Sequence, residues 1–363
     1  MGSAAFYRGV FTGKRAFQNV DTPLIMDLNQ ETKEVQMMKL GILGTGKIVK
    51  AVLPLIRELS LESVYILGRE SNRRAAEELL KAYQLDRCFF DYGQMLASDA
   101  DTIYVALPNA LHFSYGKKAV ERHKNVIIEK PITANVRELE ELTALAPQRQ
   151  VCLIEAMNIH YLPAYQKLKE HLPDIGRLRV VSMNYSQYSS RYDAFKRGDI
   201  LPAFDPEKAD GALMDLNVYN LHALVGLYGA PETVQYTANV ERGIDTSGVL
   251  TLRYPDFVAV CVAAKDCKAP VCCTLQGDAG AIQIDCPMNQ MTGYRFVSND
   301  GGESVCTVEN PEHRLSYEFR EFLDMIENKD EKRISKMLQI SLTVSRIMEQ
   351  ARRQEGIVFR NDG

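Results

Sequence analysis

The chain predicts an α/β architecture: a doubly wound parallel sheet first, then an α+β domain with an open, mainly antiparallel sheet. Three observations carry that expectation. From Lys39 to about Ile154, short continuous apolar runs alternate with stretches of helical period, as in a parallel sheet covered on both faces. Leu40-Gly41-Ile42-Leu43-Gly44-Thr45-Gly46 runs from a strand into a glycine turn, and the β-branched Asn125-Val126-Ile127-Ile128-Glu129-Lys130-Pro131 ends in a lysine and a proline. After about residue 158 the apolar period drops to two, broken by Gly, Asp and Pro, as in antiparallel strands with one covered face. The first part is therefore expected to be a Rossmann-type unit over 37–157, followed by a second domain over 158–363.

Length and composition exclude several classes. A chain of 363 residues accommodates about two domains. With 46% hydrophobic and 25% charged residues it can bury a full core. A net charge of −4 supplies no field to draw nucleic acid or an anionic membrane, and no apolar run reaches the roughly 18 residues of a membrane span. The eight cysteines form no C-x-x-C pair, and several lie in apolar runs such as Val151-Cys152-Leu153-Ile154. They read as small buried hydrophobes rather than a zinc or disulfide framework. No metal site and a reduced, cytoplasmic setting are expected. Residues 1–36 mix Arg8, Lys14, Arg15 and Lys33 with Asp21, Asp27, Glu31 and Glu34, without an apolar run suited to secretion. Met37-Met38-Lys39 reads as a natural start, so residues 1–36 are expected to be a leader or expression remnant; an arm packed on a neighbour is the alternative.

In order, strands are expected at Leu40–Leu43, Val64–Leu67, Cys88–Phe90, Thr102–Ala106, Val126–Ile128 and Val151–Ile154. Ile48, Val49, Val52, Leu53, Ile56 and Leu59 recur at helical spacing, and Arg73–Tyr83 and Arg137–Ala146 are rich in helix formers. In the second part, helical Tyr165–Leu172 leads to the alternating run Arg179–Tyr188, a loop, and the apolar, helix-length segment Gly211–Leu227. Strands follow at Thr233–Asn239, Val249–Tyr254, Phe257–Ala264, Val271–Gln276, Ala281–Asp285 and Tyr294–Val297. Two helices close the chain, striped by Leu315, Phe319, Phe322 and Ile326, then by Met337, Ile340, Val344 and Ile347.

In an open α/β sheet, ligands bind beyond the carboxyl ends of the strands. Gly44-Thr45-Gly46-Lys47-Ile48-Val49 is G-x-G-x-x-V. Its first two glycines suit a tight turn and close approach to a pyrophosphate at a helix N-terminus, while Val49 replaces the third small residue. About 20 residues on, an NAD enzyme places an acid on the ribose 2′-hydroxyl. Here the second strand ends Leu67-Gly68-Arg69-Glu70-Ser71-Asn72-Arg73. Arg69, with Arg73 nearby, suits a 2′-phosphate through bidentate guanidinium pairing, which favours NADP(H). Glu70 keeps NAD(H) open. Lys130, at the carboxyl end of its strand, stands at the mouth of the same site, where an ammonium can polarise a carbonyl and stabilise alkoxide charge.

Four motifs then fall in register: Leu107-Pro108-Asn109-Ala110-Leu111-His112, Glu129-Lys130-Pro131, Glu155-Ala156-Met157 and Gly211-Ala212-Leu213-Met214-Asp215-Leu216-Asn217-Val218-Tyr219. Together they resemble the Gfo/Idh/MocA family of nicotinamide-dependent oxidoreductases, from Lys39 to the C-terminus. The resemblance implies that Lys130 sits at nicotinamide and substrate, with Glu129 and Pro131 shaping its turn and Pro131 a candidate cis residue. It lays the family's D-x-G-x-H/Y motif on Asp215 and Tyr219, with Asn217 in place of the usual glycine. It places Leu107, Pro108, Asn109 and His112 on the nicotinamide side, and it implies a second domain whose open sheet makes a homodimer or a dimer of dimers.

The expected site follows. Lys130, Tyr219 and Asp215 are the catalytic candidates; Gly44, Thr45, Gly46, Lys47, Ile48, Arg69, Arg73, Leu107, Pro108, Asn109, His112, Glu129 and Lys130 are the cofactor candidates. Asp215 and Tyr219 lie four apart and share a face if helical. A tyrosine of ordinary pKa near 10 needs a cation such as Lys130 to favour its phenolate. His222, three residues after Tyr219, and His160, just after Glu155-Ala156, are candidate substrate contacts, as is Arg191 in the polar, aromatic loop; a buried structural histidine is the alternative for both histidines. The expected reaction is hydride transfer between an NADP(H) or NAD(H) nicotinamide and a CH–OH/C=O group of a small sugar, polyol or related cyclic diol. A trans-dihydrodiol or xylose dehydrogenase is a second enzyme reading. A dinucleotide-binding sensor or transcriptional regulator without turnover is the alternative of a different class.

Overall fold

The computed structural model describes residues 37–309 and 311–363; the expected leader over 1–36 lies outside the described residues. Six parallel strands form the first sheet: β1 (Met38–Leu43), β2 (Leu61–Leu67), β3 (Arg87–Phe89), β4 (Thr102–Val105), β5 (Asn125–Glu129) and β6 (Leu153–Ala156). They run in the order β3-β2-β1-β4-β5-β6, the doubly wound arrangement with its crevice between β1 and β4. Leu43 pairs with Leu67 on one side and Val105 on the other, and Val105 pairs with Ile128. That register brings the loops after Leu43, Val105 and Glu129 to one edge.

Helices α1 (Lys47–Ile56), α2 (Arg73–Ala82), α3 (Tyr92–Leu96), α4 (His112–Glu121) and α5 (Val136–Gln148) connect these strands. In α1 the buried Val49, Val52, Leu53 and Ile56 recur at i, i+3, i+4 and i+7, the spacing of one covered face. The Asn135 side chain accepts from Glu138 N–H while Glu138 accepts from Ala134 N–H, which satisfies otherwise unpaired donors at the start of α5.

The chain continues through α6 (Pro163–His171), β7 (Leu178–Ser186), α7 (Tyr192–Arg197), α8 (Val218–Tyr228) and seven more strands: β8 (Thr233–Glu241), β9 (Ile244–Arg253), β10 (Val258–Ala264), β11 (Cys272–Gly277), β12 (Gly280–Ile284), β13 (Gly293–Ser298) and β14 (Glu303–Thr307). Their order is β14-β13-β12-β11-β7-β10-β9-β8. Every neighbouring pair is antiparallel except β7 with β10, so the sheet is mostly antiparallel, as expected. Strand β9 begins at Ile244 rather than Val249 because Arg242 and Gly243 both take positive φ, 52° and 78°, and turn the chain directly into a hairpin.

The apolar segment expected as one helix is instead two. Leu213–Asn217 form a π-helical turn, and α8 begins at Val218. This wider turn carries Asp215 and hands the chain to Tyr219.

Two hydrophobic cores lie under the sheets, and the last helices, α9 (Arg314–Glu327) and α10 (Glu331–Gln354), serve both. Leu315, Phe319, Phe322 and Met325 of α9 pack into the first sheet's core, with Phe319 edge-on to Tyr104 at 5.3 Å. Ile334, Leu338 and Leu342 of α10 join that core, whereas Val344, Ile347, Met348 and Ala351 join the second. Among the described residues no helix is long and apolar enough to cross a membrane. All eight cysteines carry free thiols.

Candidate active site

The glycine turn takes a form only glycine allows. Gly44 has φ +116°, and a Cβ there would meet the Ala106 carbonyl oxygen at 2.5 Å, so no other residue fits without moving the β4 loop. Gly46 caps α1 in extended conformation, no side chain caps that helix, and a Cβ on Gly46 would stand in open space. Unoccupied N–H groups at a helix start beside open space fit a pyrophosphate. Lys47 is exposed and Ile48 half-buried beside them. The Asn72 amide donates to the Thr45 hydroxyl at 3.3 Å, which ties the loop after β2 to the glycine turn.

At the end of β2 the two arginines differ. Arg73 donates to both Glu70 oxygens, at 2.9 and 2.8 Å, and its guanidinium lies 3.7 Å from the Phe90 ring centroid. Arg69 is exposed, and its side chain carries no hydrogen bond or ion pair among the described residues. Glu70 is thus paired with Arg73, and the Arg69 guanidinium stands without a partner among the described residues.

His112 is corrected. It is fully buried, and its two ring nitrogens face the Pro131 and Leu107 carbonyl oxygens at 2.9 and 2.8 Å. Neither nitrogen is left for a cofactor; the ring ties the Leu107 loop to the Lys130 turn. Leu107, Pro108 and Asn109 are half-buried on that loop, and the Asn109 amide donates to the Ala209 carbonyl at 2.8 Å. Glu129 accepts from the Tyr104 hydroxyl, so its carboxylate faces β4.

The Lys130–Pro131 peptide is cis. Lys130 Nζ donates to the Asp215 carbonyl oxygen and to Asp215 Oδ1, both at 2.8 Å, and stands 4.6 Å from the Tyr219 ring centroid. An ammonium has three donors, so one remains. Burial alone would lower the Lys130 pKa, but the charges of Asp215, Tyr219 and Asp210 hold it well above the usual lysine value. Burial would likewise raise Asp215, but Lys130 and Lys265 together hold that carboxyl well below the usual range.

Tyr219 departs from expectation. Burial raises its pKa, and the lowering by Lys130 does not offset it. The ammonium stands by the ring and donates to Asp215, and with a raised pKa Tyr219 is a phenol at neutral pH. Its ring lies 6.0 Å from that of Tyr185. Asn217, at the family's glycine position, is fully buried and donates to the Cys261 carbonyl at 3.2 Å, pinning the π turn to β10.

His160 and His222 are 7% and 1% exposed and face each other at 3.1 Å, with His222 Nε2 3.4 Å from Glu155 Oε2. Burial pulls His222 down to about 3 and pushes Glu155 up to about 7; with the imidazole neutral the contact is not an ion pair, and below pH 7 both groups are neutral. Glu155 Oε1 accepts from Ile132 N–H at 3.0 Å, bracing the turn after Lys130 from beneath. Arg191 is half-buried at the start of α7, and its side chain makes no hydrogen bond or ion pair among the described residues.

Sequence reasoning missed Lys265 and Asp210. Lys265 Nζ lies 2.9 Å from both Asp210 Oδ1 and Asp215 Oδ2. A signal was present: Val258–Ala264 is an apolar strand ending in a lysine, the same pattern that singled out Lys130.

A doubly wound sheet with an open helix start at its crevice, and a lysine–aspartate–tyrosine cluster at the same edge, defines a dinucleotide-binding oxidoreductase. The model of the oxidoreductase family GFO/IDH/MocA, with its NAD-binding Rossmann fold, matches residues 38–157, and that of its C-terminal domain matches residues 165–283. The scyllo-inositol 2-dehydrogenase (NADP(+)) IolU of Bacillus subtilis is 36% identical over 331 residues, covering 90% of this chain and 99% of the relative. The uncharacterized oxidoreductase YgjR of Escherichia coli is 31% identical, covering 90% and 99%. The 3-ketoreductase KijD10 from Actinomadura kijaniata, solved with NADP and TDP-benzene, superposes with a TM-score of 0.78 at 20% identity, covering 87% and 97%. This chain belongs to the Gfo/Idh/MocA family of oxidoreductases.

Proposed function

We propose that this protein is an NADP(H)-preferring dehydrogenase, with NAD(H) as the alternative cofactor, that interconverts a secondary alcohol and a ketone on a small polyhydroxylated ring. The observation that carries the reading is the convergence of Lys130, Asp215 and Tyr219 at the strand edge that also bears the glycine turn. Arg69, unpaired beside a neutralised Glu70, supports the NADP(H) preference, as do relatives named for NADP(+), including a D-xylose 1-dehydrogenase of Haloferax volcanii that is 30% identical over 221 residues.

When bound, the nicotinamide supplies or accepts the hydride. The residues of this chain handle binding and the proton. Gly44, Gly46 and the start of α1 would cradle the pyrophosphate, and Arg69 the 2′-phosphate. In the reducing direction the Tyr219 phenol donates its proton to the substrate oxygen, and the Lys130 ammonium stabilises the charge that develops there. Asp215 holds Lys130 in place. In the oxidising direction the same oxygen, as phenolate, takes the proton back, so that direction gains from rising pH. The outer face of the eight-stranded sheet, where Val240, Val249 and Val305 stand exposed, is the surface we read as a homodimer interface.

The test is turnover with NADP+ and NAD+ on a panel of scyllo-inositol, myo-inositol, D-xylose and a trans-dihydrodiol. Reduction of NADP+ by one of them, lost in Lys130→Met, is the expected result. Cofactor binding without turnover across the panel would instead favour a sensor.

A further inference from the structure

The Asp215 carboxylate is shared between two lysines from opposite sides. Lys130 holds Oδ1 at 2.8 Å and Lys265 holds Oδ2 at 2.9 Å. The Lys265 side chain is 3% exposed, against 36% for Asp215. Besides Asp215, Lys265 Nζ donates to Asp210 Oδ1 at 2.9 Å and to the Ala203 carbonyl at 2.8 Å. Its donors are therefore consumed inside the protein, and none is left for a substrate.

Each end of this group is fixed by a different element. Lys265 follows β10, Lys130 follows β5, and Asp215 sits on the π turn between them. The cluster is charge-balanced, two ammonium groups against Asp210 and Asp215. Other charged or titratable groups face it: Tyr185 from β7, Tyr219 from α8, Asp245 from β9, and Glu129 and Arg314 further out, while Asp266 follows Lys265 in the chain. Of these, Asp245 is committed to Tyr236 and the Leu213 N–H, and Asp266 to the Thr246 and Ser247 hydroxyls. Neither carboxylate replaces Asp210 as a partner of Lys265.

We infer that Lys265 is a positioning residue for catalysis: by holding Asp215 Oδ2 it fixes the carboxylate that aims the Lys130 ammonium at the reacting oxygen. The inference rests on the proposed roles of Lys130 and Asp215. Without Lys265, Asp215 can rotate about its own side chain, and a misplacement of about 1 Å at a reacting group costs on the order of 10²-fold in rate. Two buried aspartates would also share one ammonium, so a carboxyl of the pair would hold its proton to higher pH.

The test compares wild type, Lys265→Met, Lys265→Arg, Lys130→Met and the charge-balanced Asp210→Asn/Lys265→Met, assayed with NADP+ and scyllo-inositol, or with the panel compound of highest kcat/KM. In Lys265→Met, kcat should fall about 10²-fold with the KM for NADP+ unchanged. The acid limb of its kcat profile should move to higher pH, and Lys265→Arg should recover part of the rate. Thermal denaturation gives a readout free of turnover. A carboxyl raised in the folded state stabilises at low pH and loses that contribution as pH rises, so the Tm deficit of Lys265→Met should be larger at pH 8 than at pH 5. If Lys265→Met does not fold, the double variant decides, since its cluster is again neutral: a kcat still about 10²-fold down supports positioning, and wild-type kcat overturns it. Wild-type kcat and pH profile in folded Lys265→Met, with Lys130→Met inactive, overturn this inference alone. An active Lys130→Met overturns the site reading beneath it.

Discussion

Lys130 and Asp215, 85 positions apart, meet twice: one ammonium binds both the carbonyl and the carboxylate of the aspartate, each at 2.8 Å. A lysine tied to a backbone atom as well as a side chain is aimed by both contacts, and the loss of either redirects it. Truncating it should remove charge stabilisation without disturbing cofactor binding. For Lys130→Met we expect kcat to fall about 10²–10³-fold with the Kd for NADPH, read by fluorescence titration, close to wild type.

Tyr219→Phe keeps the ring that packs against Tyr185 and under Lys130 but removes the exchangeable proton. A loss of about 10²–10⁴-fold in kcat is expected, with little change in Tm. Because burial raises the phenol's pKa, wild-type ketone reduction should hold level through neutral pH and decline only above the ordinary tyrosine range. Alcohol oxidation should climb over the same interval. A reduction rate that falls between pH 7 and 8 would assign the proton to another group.

Arg69 should set cofactor choice. A charge-assisted hydrogen bond is worth about 1.5–3 kcal/mol, so Arg69→Ala should raise the KM for NADP+ roughly 10- to 100-fold and leave that for NAD+ unchanged. Arg73→Ala should act in the opposite sense, freeing Glu70 from its two-point pair for a ribose hydroxyl. Measuring kcat/KM for both cofactors on both variants separates the two arginines.

Beneath the site, Glu155 and His222 should act on stability in opposite senses across acidic pH. Glu155 is raised in the folded state to about 7, so its contribution is present below the ordinary glutamate value and is lost as pH rises from there through 7. His222 is lowered to about 3, so its contribution is present above the ordinary histidine value and lost as pH falls toward 3. Ionising Glu155 in place costs up to about 3 kcal/mol. In Glu155→Gln the downward contribution to Tm between about pH 4.5 and 7 should disappear. An unchanged slope there would remove Glu155 as its source.

The first sheet was legible because strands buried on both faces must be continuously apolar, as in Ile42-Leu43 and Val126-Ile127-Ile128. Lys130 was legible for the same reason: a charge ending such a run has to be at a sheet edge. Strand β14 was not, since Glu303–Thr307 has almost no buried side chain to impose a period. The π turn escaped because one extra residue per turn leaves an all-apolar segment looking the same. His160 and His222 stayed open between two readings because an imidazole among apolar neighbours reads alike whether it faces a cleft or a core. Lys265 escaped because strand order, not sequence order, decides which strand end comes to rest beside Asp215.

Helix α10 is 24 residues long, about 36 Å at 1.5 Å per residue, and its two halves belong to different cores. Neither core can melt without stripping half of that helix of its packing. Calorimetry should therefore record a single cooperative endotherm for the two sheets rather than a pair, and any opening of the cleft between them would pivot on α10 as a shared axle.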